Sequence, residues 1–112
     1  IHMPSDKLMA GDFVWCRVDV DNFTAAPLTG LSLFVILDVF GEIFFAPGYT
    51  ADVDYYDATP FNPGRTTVEV LPEFTWPDDA GAASGIIWYA ALVTADFTSL
   101  FGEMDMFTFG WE

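Results

Sequence analysis

Basic residues are scarce in this chain of 112 residues, and their scarcity excludes a class of partner. Lys7, Arg17 and Arg65 stand against seventeen Asp and Glu residues, which gives a formal net charge of -14. Nucleic acids and anionic membrane surfaces are bound through clustered Lys and Arg, whereas these three are scattered. We therefore expect no nucleic-acid partner, and we expect cations, salt or a basic partner to stabilise the chain.

Histidine and cysteine each occur once, which limits the catalytic chemistry. His2 lies among the first three residues, which look like the remnant of a cleaved tag, so we predict a single domain over residues 4–112. Cys16 cannot form an internal disulfide, and we expect it to be a small buried hydrophobe. Without a Ser-His or Cys-His pair only carboxylates remain as catalytic groups, and we expect no enzyme.

Long apolar runs are also missing. The longest begins at Leu31 and is broken by Ser32, Asp38 and Glu42, so the sequence predicts no membrane-spanning helix and no membrane insertion. What the same stretch does contain is alternation, with Leu31, Leu33, Val35, Leu37 and Val39 on one side of an extended chain. Gly41 and Glu42 then predict a two-residue type II′ turn, from which residues 43–46 return as the second strand of a hairpin.

The rest of the chain alternates in the same way. Further strands are predicted over residues 13–20, 65–71, 86–94 and 104–111, and Pro72 is expected to end the strand over residues 65–71 or to mark an edge. No helical period is present. The sequence therefore predicts an all-β, antiparallel, immunoglobulin-like β-sandwich of about seven strands. Its expected core comprises Val18, Leu33, Val35, Leu37, Ile86, Trp88 and Ala90.

Four stretches in order carry a family resemblance: AGDFVWCRVDVDN, NFTAAPLTGLSLFVILDVFGEIFF, PGRTTVEVLPEFTWP and GIIWYAALVT. From Ala10 to Thr94 the chain resembles the immunoglobulin-like, CARDB-like or fibronectin-like accessory modules of bacterial secreted and cell-surface proteins. A Gly-Asp-led strand ending in an Asn-containing turn, and a later Pro-Gly before a Thr/Val strand, carry this likeness. It implies the sandwich fold, a secreted or cell-surface location and no family-wide catalytic residues.

Two kinds of candidate site remain open, both in the irregular stretch after the hairpin. Asp52, Asp54 and Asp57 alternate with apolar and aromatic residues and could converge on calcium, which prefers carboxylate oxygens. Solvated turn carboxylates are the alternative. Tyr49, Tyr55, Tyr56 and Trp76 could stack on a sugar ring if they are exposed, or they could fill the core as aromatics in sandwiches usually do.

Two functions follow from these observations. The first is a non-catalytic extracellular structural or protein-interaction module of a larger bacterial protein, whose partners are domains of the same or a neighbouring chain. The second is a carbohydrate-binding module that uses the exposed rings and possesses an optional calcium site. Trp15, Phe34 and Trp111 alternate with the core sets, so we also expect at least one outer sheet face to carry an apolar patch.

Overall fold

A computed structural model describes residues 1–57, 59–94 and 96–112, and every strand in it lies in one of two sheets. The strands are β1 (Lys7–Leu8), β2 (Phe13–Asn22), β3 (Leu31–Val39), β4 (Glu42–Phe45), β5 (Gly64–Thr75), β6 (Ala83–Thr94) and β7 (Leu100–Trp111). A five-stranded sheet has the order β1-β7-β6-β3-β4, and β2 pairs with β5 in a two-stranded sheet. The predicted all-β sandwich is confirmed. The described residues contain no helix that is long and apolar enough to cross a membrane.

The core lies between the two sheets. Successive side chains of a strand point to opposite faces, so every second residue of the central strands points there. Val14, Cys16, Val18 and Val20 of β2 are buried, and so are Leu33 and Val35 of β3. Ile86, Trp88 and Ala90 of β6 complete the predicted set, all at most 5% exposed. Leu37 differs from prediction in being half-buried, because it lies near the end of β3 where the sandwich is open.

Strand pairing is antiparallel in every pair except one. β1, a short edge strand that the sequence did not predict, pairs with β7 in parallel through Lys7 with Gly110 and Leu8 with Trp111. The first three residues are also part of the fold, because His2 and Arg17 exchange two backbone hydrogen bonds of 2.7 and 2.9 Å.

The central hairpin forms as predicted, but its turn is of another type. Val39 pairs with Glu42, so the two loop residues are Phe40 and Gly41, with φ angles of 53° and 89°. Two positive φ angles define a type I′ turn, which has the twist that an antiparallel hairpin needs. Asp38 holds the turn, since its Oδ1 accepts a hydrogen bond of 2.8 Å from the amide of Gly41.

Two strands are longer than the sequence predicts. β5 continues past Pro72 to Thr75. The register between β2 and β5 shifts between Val14 and Cys16, so Pro72 lies in a β-bulge. A proline is tolerated at such a position because no backbone N–H is needed there for pairing. β7 begins at Leu100 rather than at residue 104.

Candidate functional site

The outer face of the five-stranded sheet carries a continuous apolar surface. One row of cross-strand neighbours runs over four strands as Phe45, Ile36, Tyr89 and Met106. The next row runs as Ile43, Asp38, Ile87 and Thr108. We call these two rows, together with Phe34, the outer face. The predicted apolar patch on an outer sheet face is therefore present.

The outer face is partly exposed to solvent. Met106 is 53% exposed and Ile43 is 38% exposed, and the other apolar residues of the two rows are half-buried. In these rows the one charged side chain is Asp38, and one of its carboxylate oxygens is already bonded to the amide of Gly41. A sheet face that no further layer covers is ordinarily polar, and the apolar composition of this face departs from that pattern.

Two loops add aromatic rings around Phe34 at the border of this face. The ring of Tyr55 lies 5.4 Å from those of both Phe34 and Phe97, and the ring of Phe34 lies 5.9 Å from that of Phe97. Phe45 approaches Phe34 from the neighbouring strand at 6.4 Å. The planes of these pairs are inclined by 34° to 89°, so the cluster is an edge-to-face packing of rings and offers no flat platform.

The structure does not bring together the four aromatic residues proposed for sugar binding. Tyr49 is half-buried, and its hydroxyl donates a hydrogen bond of 2.8 Å to the carbonyl of Val70. Tyr56 is half-buried and forms backbone hydrogen bonds with Leu33, and burial raises the pKa of both tyrosines. Trp76 packs on Trp111 with ring centres 5.1 Å apart. Of the four, Tyr55 alone belongs to the exposed cluster near the outer face.

Two of the three predicted calcium ligands have separate local roles in the loop, and the third, Asp52, is exposed and contributes only its backbone amide, which donates a hydrogen bond of 3.3 Å to the hydroxyl of Thr50. Asp54 accepts hydrogen bonds from the amides of Gly48 and Tyr55, at 3.1 and 2.9 Å. Asp57 accepts one of 3.2 Å from the hydroxyl of Thr59. Over the described ranges, no three His, Cys, Asp or Glu side chains form a group that could hold a metal ion. Calcium binding at Asp52, Asp54 and Asp57 therefore stays a prediction without geometric support.

None of the three basic residues belongs to the rows of the outer face, although Lys7 lies on the same side of the five-stranded sheet, beside Gly110 at its edge. Lys7 on β1 contacts Glu112 at 2.6 Å, and this contact raises the pKa of Lys7. Arg17 of β2 lies 4.3 Å from the centre of the Trp15 ring. Arg65 of β5 bonds Asp21 at 2.8 Å, which raises the pKa of Arg65. The predicted outward position of Trp15 agrees with this stacking. Trp111 instead packs inward on Trp76, so that expectation was wrong.

Over the described residues, the chain is a β-sandwich with an apolar outer face on its five-stranded sheet. Comparisons with models of protein families, with curated proteins and with solved structures find no match for this chain. Sequence alternation placed Phe34, Ile36 and Asp38 on one side of β3, but it did not assign Tyr89 and Ile87 to a face, because they lie in a strand that is apolar on both sides.

Proposed function

We propose that the chain is a non-catalytic module of a larger bacterial surface or secreted protein, and that it binds another protein domain through the outer face. The resemblance of residues 10–94 to CARDB-like and fibronectin-like accessory modules supports the location and the modular role. The observation that carries the interaction role is the apolar row of Phe45, Ile36, Tyr89 and Met106 across four adjacent strands.

The net charge of the chain limits the kind of partner that could bind the outer face. The chain has a net charge of -14, and none of its three basic residues belongs to the rows of the outer face. A second copy would bring two strongly anionic molecules together, which like-charge repulsion opposes at low salt. A partner with an apolar centre and a rim of Lys and Arg would bury the face and neutralise the surrounding carboxylates. We therefore favour a basic domain of the same or a neighbouring chain.

A photo-crosslinking experiment in the full-length parent protein tests this proposal. Benzoylphenylalanine replaces Met106 on the outer face, or, as the matched control, Glu69 on the exposed side of β5. We expect a crosslink from position 106 to another domain and none from position 69. Equal crosslinking from both positions, or none from position 106, would contradict the proposal.

Carbohydrate binding is the second candidate, and one observation favours it. Tyr55 and Phe97 are 38% and 53% exposed and lie side by side, with acidic residues nearby in sequence that could bond sugar hydroxyls. The inclination of 57° between these rings argues against stacking of both on one sugar. A glycan array tests the candidate: saturable binding that Tyr55→Ala abolishes and Trp76→Ala leaves unchanged would replace the first proposal, provided that both variants remain folded.

A further inference from the structure

A cavity of about 270 Å³ lies between the sheets at one end of the sandwich. It is formed where β2 and β6 begin and where β3, β5 and β7 end. Six aromatic side chains contribute to its wall, namely Tyr49, Phe74, Trp76, Trp88, Phe109 and Trp111. The cavity is open to solvent on one side, where Phe74 is 39% exposed. This space is separate from the outer face, which lies on the other side of the five-stranded sheet.

The wall of the cavity consists of apolar atoms alone. The polar atoms of Tyr49 and Trp111 are turned to backbone carbonyls, to which they donate hydrogen bonds of 2.8 and 3.1 Å. Ordered water needs two to four polar partners, so a cavity of this composition does not retain it. A protein cavity of about 150 Å³ with an apolar wall binds benzene. The present one is large enough for one or two fused rings.

The electrostatic surroundings select against charged ligands. Among the residues that the structure describes, no charged side chain lines the cavity, so neither an anion nor a cation would find an ion-pairing partner there. The net charge of -14 repels anions in addition. The indole nitrogens of Trp76 and Trp88 are buried without an acceptor among the described residues. The faces of the aromatic rings attract a cation, but an ammonium group would lose its hydration in the cavity without gaining a hydrogen-bond acceptor from the apolar wall.

We propose that this cavity is a binding site for a small neutral apolar molecule that contains one or two rings. The site does not depend on the protein-interaction role proposed above. The four tryptophans provide a built-in assay, because Trp76, Trp88 and Trp111 line the cavity whereas Trp15 lies outside it beneath Arg17. Each indole N–H group gives its own signal in a nitrogen–proton correlation spectrum of labelled protein, so the four tryptophans can be followed separately once assigned.

The test titrates the protein with toluene, benzoate and benzylammonium, which share one ring and differ in charge. We expect toluene to shift the signals of Trp76, Trp88 and Trp111 saturably and to leave Trp15 unchanged, and we expect neither ion to do so. No response to toluene, an equal response at Trp15, or an equal response of the three signals to benzylammonium would overturn the proposal. So would signals that depend on protein concentration alone, because a second copy would then occupy the cavity.

Variants that fill the cavity provide a second test. Leu71→Phe and Val39→Phe add a ring from two different strands of the wall, and Ile36→Phe adds the same ring on the outer face as a control. We expect each filling variant to weaken toluene binding at least tenfold and the control to bind as the parent does. Unchanged toluene affinity in a folded filling variant would overturn the proposal. If one variant fails to fold, the other decides.

Discussion

The side-chain amide of Asn22 donates a hydrogen bond of 2.9 Å to the carbonyl of Phe61, which lies 39 positions further along the chain. The same nitrogen donates to the carbonyl of Ala26 at 2.8 Å, and Oδ1 accepts from both the amide and the hydroxyl of Thr24. Asn22 is 3% exposed. The triplet of Asn22, Phe23 and Thr24 has the form of a glycosylation acceptor, but in the folded chain both amide hydrogens are already bonded to the protein.

Asn22→Ala should therefore lower the free energy of unfolding by about 2 kcal/mol, because it removes four hydrogen bonds, one of which reaches the carbonyl of the buried Phe61. Asn22→Asp should also destabilise, since a carboxylate keeps the bonds to Thr24 but cannot donate to Ala26 or Phe61. Chemical denaturation measures both. Asn62→Ala, at an exposed position, is the control and should change stability by less than about 0.5 kcal/mol. Equal effects at positions 22 and 62 would contradict the role of Asn22.

Cys16 should be unreactive in the native protein. It is fully buried in β2, and burial raises the pKa of its thiol to about 12, so very little thiolate is present near pH 8. We expect an alkylating reagent to modify it only after unfolding in guanidinium chloride, as measured by mass spectrometry. Rapid modification without denaturant would show that β2 opens or that the thiol is accessible.

The pKa of Asp19 should depend on Thr67. The hydroxyl of Thr67 donates a hydrogen bond of 2.6 Å to Asp19, and this bond, followed by His2 and Arg65, lowers the pKa of the carboxyl. Thr67→Val should raise this pKa toward its ordinary value, as measured by NMR titration of the carboxyl carbon. Thr75→Val, on the same strand away from Asp19, is the control and should leave it unchanged.

The sign of the linked stability effect follows from the direction of that shift. A carboxyl whose pKa is lower in the folded state stabilises the fold above its unfolded pKa, and this contribution is lost as the pH falls through the folded pKa. Thr67→Val should therefore destabilise the protein at neutral pH, and its difference from the parent should shrink in acid. A difference that grew on acidification would contradict this linkage.

Calcium should act on stability only as a source of ionic strength. Salt of any kind screens a charge of -14, so the melting temperature should rise with added sodium chloride. Because Asp52, Asp54 and Asp57 do not form a ligand group, we expect equal melting curves in calcium chloride and in sodium chloride with chelator at matched ionic strength. A higher melting temperature in calcium that Asp54→Asn removes would instead confirm the calcium site predicted from the sequence.

The sandwich itself was predictable from the sequence because alternation is a local property. Leu33 and Val35 are two positions apart in an extended strand, so both face the core as predicted, and Val18 of β2 is buried for the same reason. The hairpin turn was less predictable, because a shift of one residue turns a type II′ loop at residues 41 and 42 into the type I′ loop at Phe40 and Gly41. Alternation places a side chain on a face but does not determine where a loop ends.

The sites depended on contacts that no local pattern encodes. Tyr49 and Tyr55 are close in sequence, yet the first turns inward to Val70 and the second packs outward on Phe34. The loop between them is irregular, so the sequence does not show which of the two side chains faces inward. The apolar outer face emerged only when the register of β3, β4, β6 and β7 aligned residues from separate strands in one row.

Solvent accessibility of methyl groups in the isolated module and in its full-length parent tests the central claim most directly. A soluble paramagnetic agent broadens exposed methyl signals, so the methyls of Ile36, Ile87 and Met106 report on the outer face and that of Thr67 reports on the exposed side of β5. We predict strong broadening of the outer-face methyls in the isolated module, protection of the same methyls in the parent, and no change at Thr67. Equal broadening of the outer-face methyls in both proteins would contradict the claim that another domain covers this face.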